Sequence, residues 1–430
     1  MKKKTINIIT LGCSKNLVDS EVLMGQLGSN YTVSHNSSED ADIQVVNTCG
    51  FIGDAKEESV DTILQLTKAK KDGYTSKVYV TGCLSQRYKD DLKNEIPDVD
   101  GFFGVNDLPD ILKTLETDFK KELVGERYLT TPKHFAYLKI SEGCDRNCAF
   151  CAIPLIRGKH VSKPIEELIK ETKFLAKSGV KELILIAQDL TYYGIDIYRK
   201  RRIAELVNSL SKVEGIEWIR LHYAYPAGFP FELIEEIKNN PKVCNYLDIP
   251  LQHISNRILL SMKRAHDKQT TINVVEKFRT RLPKASLRTT LIVGYPGETE
   301  EDFNELYDFV EEYKFDRLGV FQYSSEEDTA AHKLEDDVPE QTKQDRADKL
   351  MMLQQQLSLN NNQGKVGQTL KVIIDRVENG YYVGRTEFDS PEVDNEILIP
   401  EEGIQLEIGE FYMAKVEKGD FFDLYASLVN

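Results

Sequence analysis

Cys144-Asp145-Arg146-Asn147-Cys148-Ala149-Phe150-Cys151 carries three cysteines in eight residues, spaced C-x3-C-x2-C. Nothing inside the run offers a fourth thiolate. Iron–sulfur cubanes take one thiolate per iron, so three ligands leave one iron open, as catalytic metal sites leave a position for substrate. An iron held this way on a short loop can bind a small chelating molecule and pass it an electron. A structural zinc site is the alternative, because clustered cysteines also suit zinc and His160 or His134 could complete a Cys3His set. Neither histidine sits at a usual finger spacing.

The loop sits early in a long strand–helix alternation. Strands are expected at 136–140, 183–187, 218–224, 246–250, 287–293 and 318–323, with helices between them at 166–177, 202–210, 230–238 and 301–312. Six βα units are too few for an eight-fold barrel but fit a partial barrel of six parallel strands. Its working face should lie at the carboxyl ends of the strands, where the cysteine loop follows the first strand.

Upstream, residues 1–117 alternate in the same way on a smaller scale. Strands are expected at 6–11, 42–47, 77–81 and 102–105, and helices at 17–27, 55–66, 86–93 and 111–115, a pattern that predicts a parallel sheet. Cys13, Cys49 and Cys83 each fall just past one of these strands, about 35 positions apart, in the frames Leu-Gly-Cys, Asn-Thr-Cys and Thr-Gly-Cys. Open parallel sheets bind ligands at that edge, so the spacing predicts a second three-cysteine metal site. Three separately buried cysteines are the plain alternative. Cys244 has no such partner and reads as a core residue at a strand start.

Residues 118–134 are charged and end in Thr131-Pro132-Lys133, which reads as a linker. A Gln-rich helical stretch at 341–360 leads into 365–430, where short alternating strands at 370–374, 381–386, 397–399 and 411–416 are punctuated by glycines. That is the pattern of a small β-barrel or sandwich. The expected fold class is therefore α/β in three parts. These are an N-terminal open parallel βα domain (1–117), a central partial (β/α)6 barrel (135–362) and a small C-terminal β-barrel (365–430).

Further residues on the rim suggest a bound small molecule. Gly294-Tyr295-Pro296-Gly297-Glu298-Thr299 joins a strand to a helix, with Thr299 as N-cap and Asp302 three residues on. Amides at such a helix start favour an anionic group, against the plain reading of an ordinary βα turn. Gln188 and Asp189 end the second strand and could hydrogen-bond an amino group or ribose. Gln252 and His253 end the fourth, where His253 reads as a satisfied polar residue. Arg157 is suited to a carboxylate or to a surface salt bridge.

The bulk numbers narrow the classes. A chain of 430 residues with 41% hydrophobic content supports two or three well-filled domains. No apolar run approaches a membrane span, and the basic start is followed by too short an apolar run for a secretory signal. Seven cysteines, an odd number, argue against a disulfide framework and for a reducing cytoplasm. The net charge of −15 disfavours general nucleic-acid binding and suits a basic partner.

With these motifs the chain resembles the radical S-adenosylmethionine (SAM) enzymes, through Cys144, Cys148 and Cys151. More narrowly it is similar to the methylthiotransferases, whose additional cysteines match Cys13, Cys49 and Cys83 and whose C-terminal TRAM-type barrel matches 365–430. Two branches of that family differ in substrate. One modifies an adenosine of transfer RNA, the other an aspartate of small-subunit ribosomal protein twelve. Leu11-Gly12-Cys13-Ser14-Lys15-Asn16-Leu17-Val18-Asp19-Ser20-Glu21, Asn47-Thr48-Cys49-Gly50-Phe51-Ile52, Ser141-Glu142-Gly143-Cys144-Asp145-Arg146 and the segment Gly384 to Asp394 resemble the second branch. Lys163 and Asn395 depart from the family pattern and touch none of the cysteines.

The resemblance implies two [4Fe-4S] clusters and SAM as cofactors, with SAM chelated at the open iron of the Cys144/Cys148/Cys151 cluster. Gln188, Asp189, Gly294, Pro296 and Gly297 are the candidate SAM contacts. It implies that a 5′-deoxyadenosyl radical takes hydrogen from the aspartate β-carbon. Sulfur delivered at the second cluster and methylated by a second SAM then joins that carbon. The implied partners are a basic ribosomal protein, free or within the ribosome, and an electron-donor protein. Charge supports the ribosomal branch: 365–430 holds six lysines and arginines against fourteen aspartates and glutamates, a balance of −8. A barrel that grips RNA is normally basic. The alternatives are the transfer RNA methylthiotransferase and a non-catalytic, metal-stabilised scaffold that binds the ribosome.

Overall fold

The computed structural model describes residues 3–120, 123 and 125–429. Residues 3–117 contain a five-stranded parallel sheet: β1 (Thr5–Thr10), β2 (Thr32–His35), β3 (Ile43–Thr48), β4 (Lys77–Gly82) and β5 (Gly101–Phe102), in spatial order β2-β1-β3-β4-β5. Ile6, Ile8, Val45 and Val80 are wholly buried, as the apolar runs require when helices cover both faces. The edge strand β2 was not expected. Thr32-Val33-Ser34-His35 has one aliphatic residue and pairs on one side only, with β1. The expected strand at 102–105 shrinks to two residues.

Of the linker expected at 118–134, residues 121, 122 and 124 lie outside the described residues. Its remainder is no free tether, because Arg127 is buried against Glu21 and Thr130 donates to that carboxylate at 2.8 Å.

The six expected strands of the central domain are all present: β6 (Phe135–Lys139), then, after a hairpin of β7 (Ser141–Glu142) and β8 (Val161–Ser162), β9 (Glu182–Ile186), β10 (Trp218–Leu221), β11 (Tyr246–Asp248), β12 (Ser286–Val293) and β13 (Arg317–Gln322). They pair in parallel as β6-β9-β10 and β11-β12-β13, and a bridge between Ile219 and Val243 joins the halves. Leu183, Leu185, Ile219, Leu221 and Leu247 face the outer helices and form the largest apolar core. The opposite, concave face carries Phe135, Tyr137, Ile184 and Ile186, which pack on Val18 of the N-terminal helix Ser14–Leu27. Cys244 is buried beside Trp218 and Tyr246.

Helix Glu340–Gln363 leads to a closed barrel of β14 (Thr369–Glu378), β15 (Tyr381–Thr386), β16 (Ile397–Pro400), β17 (Phe411–Gly419) and β18 (Leu424–Leu428). β18 was missed in the sequence, although Leu424 and Ala426 alternate inward. The segment after β15 reaches the concave face of the central domain. Arg317 pairs with Asp389, Arg288 with Asp394 at 3.3 Å, His222 contacts Ser390 at 2.8 Å and Tyr246 donates to Asp394 at 2.7 Å. Glu182 holds both Arg220 (2.8 Å) and Arg385 (2.7 Å), all fully or almost fully buried.

This changes the charge argument. Asp375, Glu387, Asp389, Glu392 and Asp394 are engaged with the central domain or with Arg385, so the −8 balance overstates the acidity left for a partner.

Candidate metal centres

Cys13, Cys49 and Cys83 follow β1, β3 and β4, three adjacent strands of one parallel sheet, so the topology sets them side by side at its carboxyl edge. Cys13 precedes helix Ser14–Leu27 and Cys83 opens helix Cys83–Glu95. Gly12 (φ +84°) makes room, since a Cβ there would stand 2.7 Å from Cys49 Cβ and 2.9 Å from its Sγ. Ser59 holds Cys49 at both ends, accepting from its amide (3.0 Å) and donating to its carbonyl (2.9 Å). Asn16, fully buried, donates to Leu11 and Thr48 carbonyls, and its Oδ1 accepts from Arg157 (2.6 Å) and from the Cys83 thiol (3.5 Å). Burial pushes the Cys83 thiol up to about 12, Arg157 works against that, and Cys13 and Cys49 add to it.

The second triplet sits on one loop past β7. Gly143 (φ +73°) turns the chain against the Lys159 carbonyl, 2.1 Å from where a Cβ would lie. Cys144 donates its amide to Gly158 O, and Ala149 to Met262 O. The Arg146 amide donates to Cys144 Sγ (3.4 Å), and Arg264 Nη1 donates to Cys148 Sγ (3.4 Å). Arg146 and Arg264 both lie on the Tyr225 ring, at 4.1 and 4.2 Å. Burial raises Cys144 to about 11 and Cys151 to about 12. Burial therefore favours the thiol form of Cys49, Cys83, Cys144 and Cys151.

Each donor set is three sulfurs without a carboxylate or imidazole, which suits an iron–sulfur cluster with one open iron. Among the described residues no three His, Cys, Asp or Glu side chains are grouped as for a single ion. Of the histidines that a zinc site would have needed, His134 is engaged with Asp375 (2.7 Å), and His160 bonds Ser162 through Nε2 (2.9 Å) while its Nδ1 keeps no partner.

Arg157 joins the two regions. It is not a surface salt bridge, being 3% exposed, and the carboxylates it holds are the chain's own. Nη1 donates to Asp19 (3.0 Å) and Glu142 (2.9 Å), and Nη2 reaches Cys83 Sγ at 3.6 Å. Lys139 shares both carboxylates. Burial alone would raise Glu142, but Lys139 and Arg157 hold it down to about 2.

The expected small-molecule contacts divide. Gln188 donates to Glu142 (2.8 Å) and keeps a buried amide oxygen without a partner, as does Gln252. Asp189 is committed to Arg146 (2.9 Å) and Thr191 (2.6 Å). Thr299 caps helix Glu300–Tyr313 in the expected box with Asp302.

In the turn Gly294 to Gly297 two amides meet the chain's own carboxylates. Gly297 N donates to Asp337 (2.6 Å) and Tyr295 N to Glu298 (3.3 Å). Gly294 is there because a Cβ would strike the buried Lys343 side chain. Tyr295 packs with Ala149, so the turn supports the cysteine loop from below. His253 is buried, its Nδ1 accepting from Ser255 N. Arg146, Glu142, Tyr225 and Arg264 were not assigned roles from sequence. Arg146 lies within the cysteine run and Glu142 two residues before it, so both were within reach of that reading.

Residues 5–104 match the Uncharacterized protein family UPF0004, 138–310 the Radical SAM superfamily and 366–429 the TRAM domain. The ribosomal protein uS12 methylthiotransferase RimO of Christiangramia forsetii is 58% identical over 431 residues, covering 100% of this chain and 95% of its own. The protein of the same name from Flavobacterium johnsoniae is 59% identical, covering 99% and 98%. This chain belongs to the RimO family of radical SAM methylthiotransferases. The RimO protein of Bacteroides thetaiotaomicron, at 53% identity, also aligns end to end, covering 100% and 99%. Among solved structures, the radical SAM methyltransferase TsrM of Kitasatospora setae, with tryptophan and a SAM analogue bound, superposes at TM-score 0.56 with 12% identity. That match covers 74% of this chain and 73% of TsrM. The cobalamin-dependent enzyme OxsB gives 0.53 at 13%, covering 77% and 54%. These two show likeness of fold alone.

Proposed function

We propose that this chain places a methylthio group on the β-carbon of an aspartate in small-subunit ribosomal protein uS12. The observation that carries the reading is Arg157, which follows the Cys144/Cys148/Cys151 loop in the chain and reaches Cys83 of the other triplet at 3.6 Å. The chain that builds it aligns end to end, at 58–59% identity, with proteins named for that activity.

In this reading Cys144, Cys148 and Cys151 hold one [4Fe-4S] cluster with SAM at its open iron, and Cys13, Cys49 and Cys83 hold another. When bound, these groups supply the electron that cleaves SAM, the hydrogen-abstracting radical and the sulfur.

The chain's own residues hold, orient and shield, because a saturated carbon of this kind offers no proton that a side-chain base could take. The Arg146 amide and the Arg264 guanidinium donate to Cys144 and Cys148, and Asp189 fixes Arg146. Tyr225 packs its ring against both guanidiniums and so holds them in place. The unpartnered oxygens of Gln188 and Gln252 suit an amino group or ribose hydroxyls of SAM. No helix of the described residues is long and apolar enough to cross a membrane. The reading places the enzyme in the reducing cytoplasm with an electron-donor protein, acting on uS12 free or within the ribosome.

Anaerobically reconstituted enzyme, SAM, sulfide and reductant are to be incubated in parallel with uS12 and with transfer RNA, followed by mass spectrometry of both. A methylthio mass gain on the uS12 aspartate is expected. A gain on transfer RNA adenosine alone would move the chain to the other branch. Colourless, zinc-containing protein without iron would favour the scaffold.

A further inference from the structure

We propose that Arg157 is the counter-cation of the N-terminal triplet, a guanidinium supplied by the radical SAM domain that offsets the charge of a cluster on Cys13, Cys49 and Cys83 and so sets its reduction potential. The assignment rests on the reading of those cysteines as cluster ligands.

Arg157 ends the short helix Ile153–Arg157, directly after Cys151. The peptide that ligates one centre thus carries the cation that faces the other. Its Nη2 is bonded to Asn16 Oδ1 at 2.6 Å and lies 3.6 Å from Cys83 Sγ, within a buried setting.

Three thiolates on an iron–sulfur core leave a negative group beside the buried interior, and an uncompensated buried charge is costly. The radical SAM triplet has different cations, Arg264 on Cys148 and, on the same Tyr225 ring as Arg264, Arg146. Each centre therefore has its own positive charge. Asp19 and Glu142 fix the guanidinium from the far side. Hydrogen bonds to cluster sulfurs and local charge are the protein's main means of adjusting potential.

The test uses the full chain with Cys144, Cys148 and Cys151 replaced by alanine, so that one cluster remains. Its midpoint potential is followed by EPR-monitored titration, with iron content and thermal melting measured alongside. Arg157→Gln is expected to move the midpoint to more negative values, and Arg157→Lys to move it less. In the reciprocal chain, with Cys13, Cys49 and Cys83 replaced, both substitutions should move the remaining potential less. Iron lost in the glutamine variant and regained in the lysine variant, at an unchanged melting temperature, also supports the assignment. An unchanged potential in Arg157→Gln overturns it. So does loss of the folded state in both variants, which makes Arg157 a tether between domains. A parent chain that binds no iron with Arg157 intact overturns the ligand reading and the assignment with it.

Discussion

The two cysteine triplets reach the same ligand count by opposite routes. Cys144, Cys148 and Cys151 lie on one loop, and their arrangement depends on local turns, the Gly143 conformation and a few backbone bonds. Cys13, Cys49 and Cys83 are brought together by three parallel strands, and their arrangement depends on sheet register. The local triplet is half-buried throughout, while the distant one is uneven, with Cys49 and Cys83 buried and Cys13 exposed. The difference teaches how three ligands can be aligned, by local turns in one centre and by strand pairing in the other.

That contrast can be broken most sharply at the local triplet. Cys148→Ala is expected to remove about half of the iron and all SAM cleavage, read as 5′-deoxyadenosine by chromatography, because three ligands are the minimum for a cluster with one open iron. Cys83→Ala should remove a similar share of iron and all methylthiolation while sparing SAM cleavage. A Cys83→Ala protein that still methylthiolates would end the two-centre reading.

Next in size is Arg264→Met, which deletes a charged donor to Cys148. A hydrogen bond to a charged group contributes about 1.5–3 kcal/mol, so a roughly 10- to 100-fold loss in SAM cleavage rate is expected. Iron content should be retained and the ultraviolet–visible cluster spectrum preserved.

The smallest effect is expected at Ser59→Ala, which frees both backbone groups of Cys49. A loss of about 1–3 kcal/mol in stability, read as a lower melting temperature of the iron-free protein, should appear while the radical SAM triplet still takes up iron. An unchanged melting temperature would mean that sheet register alone positions Cys49.

Much of this was legible beforehand. The three-part α/β architecture, the six central strands and the edge shared by three cysteines follow from periodicity and from where each cysteine stands relative to a strand. The glycine turn at Gly294 to Gly297 was only partly legible, for a definite reason. Its pattern is that of an anion site, but Asp337 and Glu298, one of them forty residues away, use the amides. The charge count over 365–430 favoured the ribosomal branch but overstated the free acid, since Arg220, Arg288 and Arg317 of the central sheet bind part of that segment. Arg157 was visible as a residue, but its partners were not, because Cys83 and Asn16 precede it by 74 and 141 positions.

Ligand type, ligand number and the strand–helix order are written in the sequence itself, because thiol chemistry and side-chain periodicity are properties of neighbouring residues. Which cation faces which triplet, which amides stay free and which acids reach solvent were decided only when the sheets and the barrel packed. Such pairings join residues far apart in the chain, and desolvation in the assembled interior determines which of them persist.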